Sequence, residues 1–124
     1  MDLAERTDGS RGRRSWAAFA VSGERDGDVY LVKAEGELDM ATEGDLAEEL
    51  ARAVATDAEH ILLDLTGVTF IDSMGICLLV SAQRRVAGRL RFLPVEGEVR
   101  RLLELTGVAK YLEFVAQPSD GVRG

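Results

Sequence analysis

The chain has 124 residues, 46% hydrophobic content and a formal net charge of −7. This length supports one domain with a hydrophobic core, and no segment approaches the roughly 18 apolar residues that span a bilayer. One cysteine and one histidine exclude an internal disulfide and a cysteine-based metal cluster. The acidic charge argues against nucleic-acid binding, because phosphate contacts need clustered Lys and Arg. We therefore expect a cytoplasmic protein without metal, cofactor, direct nucleic-acid contact or membrane insertion.

The two ends of the chain are predicted to be flexible tails. Residues 1–15 carry almost no large apolar side chain, so they cannot bury enough surface to offset the entropy lost on ordering. The polar residues 118–124 form the second predicted tail, and residues 16–117 form the domain. A basic cluster in the first tail could be a docking site, but its composition favours a solvated segment. That cluster consists of Arg11, Arg13 and Arg14.

The first half of the domain is predicted to contain a hairpin and a helix. Apolar residues at 16–21 and 29–32 flank the turn-rich segment 23–28, which predicts two antiparallel strands. Apolar side chains then recur every fourth residue from 46 to 54, which predicts a helix with Thr42 near its start. The side chains of this helix expected to face water are Glu43, Asp45, Glu48, Glu49 and Arg52.

The second half alternates strands and helices. The nearly continuous apolar segment 60–65 predicts a central strand, followed by a loop over 66–71 and a second helix. Residues 90–93 predict another strand, a third helix ends at Gly107, and residues 112–115 predict a last short strand. We therefore expect an α/β fold in which a mixed sheet of four to five strands packs against about three helices.

Ser73 lies at the predicted N-cap of the second helix, directly after an acidic residue. The first helical turn has unpaired N–H groups and a partial positive charge, so it can hold an anion. A phosphate on Ser73 would add about −1.5 to −2 charge and disrupt a partner surface complementary to the neutral form. Gly75 has no side chain to obstruct a kinase. Serine is also a common N-cap residue, however, and position alone favours an ordinary cap.

Two segments resemble a known family: GELD at 36–39 and LDLTGVTFIDSMG at 63–75. They resemble the STAS domain of bacterial anti-sigma factor antagonists, with similarity from about Val29 to Val115. The resemblance implies that the unphosphorylated protein binds an anti-sigma factor that is also a serine kinase, which frees a sigma factor. The kinase then phosphorylates the serine matching Ser73, the complex dissociates, and a serine phosphatase resets the switch.

The predicted partner-binding surface surrounds that serine. The resemblance places Asp72 beside the phosphorylation site and Asp39 on a neighbouring loop, although a loop aspartate at 39 can simply cap the following helix. Met74 stands where the family often has a small residue; partner contact and core packing are equally supported for it. The complete predicted set is Asp39, Asp72, Ser73, Met74 and Gly75.

Three further residues receive structural interpretations. Cys77 occupies a position where the family commonly has glycine, and it is predicted to be a small core residue. His60 is expected at a strand edge, and Asp64 is expected to contact the adjacent loop.

Two other functional classes compete with the switch. A STAS scaffold subunit of a stress-signalling assembly or of a lipid transporter is the alternative binding function, but Ser73 directly after Asp72 favours the switch. An enzyme is not expected, because the sequence contains no nucleophile–base pair, metal-ligand set or P-loop.

Overall fold

The computed structural model describes residues 19–115. Trp16, the predicted tails at 1–15 and 118–124 and the predicted domain limits at 16 and 117 lie outside the described residues. Within 19–115, none of the helices has both the length and the apolar character that crossing a membrane requires.

The described residues form a four-stranded sheet with three α-helices, which confirms the predicted fold class. The strands lie in the order β1-β2-β3-β4; β1 is antiparallel to β2, and β2, β3 and β4 are parallel. β3 is therefore a central strand, as predicted. The elements are β1 Ala20–Asp26, β2 Val29–Leu38, α1 Glu43–Ala55, β3 His60–Ile71, α2 Ser73–Arg85, β4 Leu90–Phe92, α3 Gly97–Leu105 and a 3₁₀ helix Val108–Tyr111.

Two predictions, one for the first turn and one for the last strand, were wrong. The turn expected over 23–28 is only Gly27 and Asp28, because Gly27 adopts φ 61° and the strands pair up to that point. The strand expected at 112–115 is a single bridge between Phe114 and Phe92. Two backbone hydrogen bonds close this bridge, from Phe92 N to the Glu113 carbonyl and from Val115 N to the Phe92 carbonyl.

β3 extends through residues 66–71, where a loop was predicted. Two bulges cause the difference: each adds one β3 residue opposite β2, one between the partners of Lys33 and Glu35 and one between those of Gly36 and Glu37. The alternation of apolar and polar residues is consequently broken, which made this part of the strand resemble a loop. The buried hydrophobic residues of β3 are Ile61, Leu63, Leu65, Val68 and Ile71.

Glu49 of α1 was expected to face water, but it is buried. Tyr30 donates its hydroxyl to Glu49 Oε2 at 2.7 Å, and Arg52 Nη2 donates to Oε1 at 2.7 Å. Gly23 of β1 leaves room for this pair, since a side chain there would overlap the carboxylate. The hydrogen bond from Tyr30, supported by Arg52, lowers the pKa of Glu49 below its ordinary value of 4.5.

Glu49→Gln should destabilise the fold in a pH-dependent way. Because the folded pKa is lowered, ionised Glu49 stabilises the protein fully above the unfolded pKa, and this stabilisation is lost as pH falls through the folded pKa. We expect the variant to lose roughly 1 kcal/mol near pH 7 and the difference to shrink below about pH 4.5. Urea denaturation across this range measures it, with exposed Glu48→Gln as the control. A difference that does not change with pH would contradict the assignment.

Candidate functional site

Two loops meet at the carboxyl end of the parallel strands β2 and β3. Leu38 and Ile71 pair at the ends of these strands, so Asp39 and Asp72 leave the sheet side by side. The backbone N–H of Asp72 donates to the carbonyl of Leu38 at 3.1 Å. In sheets of this kind, binding sites form outside the carboxyl ends of the strands.

Asp72, and not Ser73, is the N-cap of α2. Its backbone is extended, and its Oδ1 accepts a hydrogen bond from Gly75 N at 3.0 Å. Its Oδ2 accepts from Met40 N in the other loop at 3.1 Å. Both carboxylate oxygens are therefore used inside the protein, and Asp72 joins the two loops.

Ser73 is consequently the first residue of α2, and the prediction that it caps the helix was wrong. The residue is exposed. Within the described part of the chain its hydroxyl makes no hydrogen bond, because the cap is supplied by Asp72. Phosphoryl transfer requires an exposed hydroxyl that is free of other hydrogen bonds. The interpretation of Ser73 as an ordinary helix cap is contradicted, because Asp72 is the cap.

Gly75 and Met74, neighbours in the first turn of α2, differ in exposure. Gly75 is buried, and a Cβ there would lie 2.9 Å from the Leu38 carbonyl oxygen, so the missing side chain lets α2 approach β2. This close packing explains why residue 75 is a glycine, which the sequence alone did not indicate. Met74 is 43% exposed, which favours its surface role over core packing.

Asp39 organises the turn that leads into α1. Its Oδ1 accepts from Ala41 N at 3.0 Å and from Thr42 N at 3.2 Å. Thr42 is the N-cap of α1, and its hydroxyl donates to the Glu37 carbonyl at 2.7 Å. Asp39 therefore does have a structural role, which is to hold the turn before α1. Its contact with a partner stays a prediction.

Cys77 is exposed, so the prediction that it packs in the core was wrong. The buried residues of α2 are Gly75, Leu79 and Gln83, spaced four apart, and they set the face that packs inward. Gln83 was missed: its Nε2 donates to the Leu90 carbonyl at 2.8 Å, and its Oε1 accepts from Glu113 N at 2.7 Å. Only its place in that spacing could have indicated its burial.

His60 lies where it was predicted, and Asp64 makes its predicted contact with the following segment, although that segment belongs to β3 and is not a loop. Asp64 Oδ1 accepts from the backbone N and the hydroxyl of Thr66, at 2.9 and 2.6 Å. His60 is exposed at the first position of β3. Neither residue lies with the groups around Ser73.

Comparison with known proteins identifies the family. The STAS domain model matches residues 20–120. The chain belongs to the STAS domain family. Among its relatives, the anti-sigma-F factor antagonist RsfB of Mycobacterium tuberculosis is 29% identical over 101 residues, covering 77% of this chain and 83% of RsfB. Other relatives are also anti-sigma-F or anti-sigma-B factor antagonists, which confirms the resemblance seen in the sequence.

Solved structures share this STAS fold. An anti-sigma factor antagonist from Mycobacterium paratuberculosis superimposes with a TM-score of 0.72 at 24% identity, covering 86% of this chain and 93% of that one. Unphosphorylated SpoIIAA gives a TM-score of 0.59 at 24% identity, covering 85% and 97%. SpoIIAA of Bacillus has also been solved in its phosphorylated form, with a TM-score of 0.56. The fold of the whole described region is therefore that of these antagonists.

Asp72→Asn tests the bridge between the two loops. Asparagine keeps one acceptor oxygen, so it can accept from Gly75 N–H or from Met40 N–H but cannot satisfy both. We expect the free energy of unfolding, measured in urea, to fall by about 1–2 kcal/mol. Asp45→Asn is the control, because Asp45 is an exposed carboxylate in the first turn of α1 that caps nothing. An equal loss in both variants would show that only charge near a helix terminus matters.

Proposed function

We propose that this STAS protein is an anti-sigma factor antagonist controlled by phosphorylation of Ser73. In the unphosphorylated form it binds a serine-kinase anti-sigma factor and frees a sigma factor, so it acts in the cytoplasm. The kinase transfers the γ-phosphoryl group of ATP to Ser73 Oγ, with loss of the hydroxyl proton and release of ADP. A serine phosphatase hydrolyses the ester and restores binding.

The observation that carries this proposal is that Asp72 and Ser73, adjacent in the chain, have different roles. Asp72 caps α2 and Ser73 stays exposed with an uncommitted hydroxyl. A kinase can therefore reach Ser73 without dismantling the start of the helix.

The charge near Ser73 supports an inhibitory phosphate. Segments 35–45 and 66–77, which form this end of the domain, contain six carboxylates and no Lys or Arg. A phosphate there gains no cation from either segment, and it adds about −1.5 to −2 charge beside the Asp72 carboxylate. A partner face that complements the neutral serine then meets the added charge, which weakens binding.

The relatives support the same switch. RsfB is an antagonist of an anti-sigma-F factor, and SpoIIAA exists in phosphorylated and unphosphorylated forms. The serine kinase and the serine phosphatase are added as partners by the resemblance seen in the sequence. Recovery in a large stable particle or with a membrane ATPase would instead support the scaffold or transporter-associated function.

The first test maps the modification. Incubation with a purified anti-sigma factor kinase from the same genome and ATP should add one phosphate, and peptide mass spectrometry should locate it on Ser73. Ser73→Ala should abolish the mass increase. Ser81→Ala, which removes another exposed serine from α2, should not change it. A phosphate located at another residue would overturn the assignment of Ser73.

The second test measures the effect of charge on binding. Ser73→Asp should weaken binding to the same kinase at least about tenfold, because a carboxylate that loses its water beneath a partner face built for a neutral serine is costly. Ser73→Ala should keep the affinity of the wild type. Isothermal titration calorimetry gives both values, and equal affinities would contradict the charge mechanism.

A further inference from the structure

An apolar cavity of about 340 Å³ lies between α1 and α2. Its floor includes the buried side chains of Ile61 and Leu90, which stand at the beginnings of β3 and β4. Ser73 follows the other end of β3, so the cavity lies at the opposite end of the sheet. Small-molecule sites in proteins have volumes of roughly 300–1,000 Å³ and mostly apolar walls. The cavity is therefore large enough for one small ligand.

Small side chains on the two helices leave this space open. The walls include Ala47 and Ala51 of α1 and Ser81 and Ala82 of α2. Larger side chains at these positions would extend into the cavity. Val54, also in the wall, is 39% exposed, so a ligand that covers it would remove apolar surface from water.

Two polar side chains of α2 line the same cavity. Ser81 and Arg85 are four residues apart, which places them on one side of the helix. Within residues 19–115 neither side chain makes an ion pair or a hydrogen bond. A guanidinium group matches a carboxylate with two parallel N–H···O bonds, and a hydroxyl can donate a third. An apolar cavity with these two donors suits a ligand that has an apolar chain and a negative head.

The chain around Arg85 is basic, although the protein is acidic as a whole. Residues 73–95 contain four Arg residues and no carboxylate. One of them, Arg89, donates to three backbone carbonyls of the segment 54–58, which offsets the partial negative charge at the end of α1. The end of α2 carries only about half a negative charge, and Arg84 and Arg85 together outweigh it. Arg85 is therefore available to an anion.

We propose that this cavity binds a single-chain fatty acid, with the acyl chain between α1 and α2 and the carboxylate on Arg85 and Ser81. The apolar walls bind the chain, and the two donors select a negative head. The volume is near the lower limit for ligand sites, so it suits one acyl chain and not the two chains of a phospholipid. The site is separate from Ser73, and the inference does not rest on the proposed function.

Calorimetry with the full-length protein tests the ligand class. The probe is sodium laurate, kept below the concentration at which it forms micelles, and we expect one laurate to bind per protein. Dodecyltrimethylammonium has a similar chain with a positive head and should bind at least about tenfold more weakly, because Arg85 repels it. No binding of laurate, or equal binding of both compounds, would overturn the proposal.

Arg85→Gln tests the contact with the carboxylate. The variant should bind laurate at least about tenfold more weakly, because it loses the charge-assisted hydrogen bonds. Arg84→Gln is the matched control: Arg84 is the adjacent exposed arginine in the last turn of α2, but it is not part of the cavity wall. We expect it to change the affinity less than about twofold. Equal losses in the two variants would show that only overall charge matters, and the assigned contact would be wrong.

Ala51→Leu tests where the acyl chain lies. The larger side chain would occupy the cavity and should weaken laurate binding at least about fivefold. Since residue 51 is exposed, the fold should tolerate the change, and thermal unfolding verifies this. Ala55→Leu is the control, because it makes the same substitution in α1 outside the cavity wall. Unchanged affinity in Ala51→Leu would overturn the location of the site.

Vesicles of phosphatidylglycerol distinguish a free fatty acid from a membrane surface. They also present acyl chains with negative heads, but the chains are held in a bilayer. We expect the protein to stay in solution when the vesicles are sedimented. Sedimentation with the vesicles and no binding of free laurate would overturn the fatty-acid site and indicate attachment to a membrane surface.

Discussion

The two oxygens of the Asp72 carboxylate hold the site together. One accepts from Gly75 N and starts α2; the other accepts from Met40 N and fixes the neighbouring loop. Because one side chain does both, the position of the helix start and that of the loop depend on each other. Gly75 completes this arrangement by letting the first turn approach Leu38. The exposure of Ser73 and the placement of Met40 both follow from it.

The bulges in β3 determine which side chains reach this end of the sheet. Each bulge shifts the alternation of the strand by one residue, so a single bulge would turn Phe70 inward. With two, the original alternation returns, Ile71 is buried and Phe70 is exposed. The irregular part of the strand therefore keeps the core intact and still exposes an aromatic side chain near the end of β3.

The sequence predicts the sheet and helices because their apolar periods are local, but long-range contacts decide the details. Asp72 and Ser73 are both good cap residues, and the bond from Met40 selects Asp72. Glu49 is buried because of Tyr30, which lies 19 residues away in sequence. Cys77 was misplaced because the inward stripe of α2 begins at Gly75, a residue that gives no hydrophobic signal.

Separating the cap from the modified residue also determines what phosphorylation can change. The hydroxyl oxygen of a capping serine accepts a hydrogen bond from a backbone N–H. Modifying that serine would disturb a contact that stabilises the helix by about 1 kcal/mol. Here Asp72 carries that contact, so a phosphate on Ser73 leaves the cap in place. Under the proposed function, the switch then acts through the charge and hydration of the surface, and the fold beneath it has no need to rearrange.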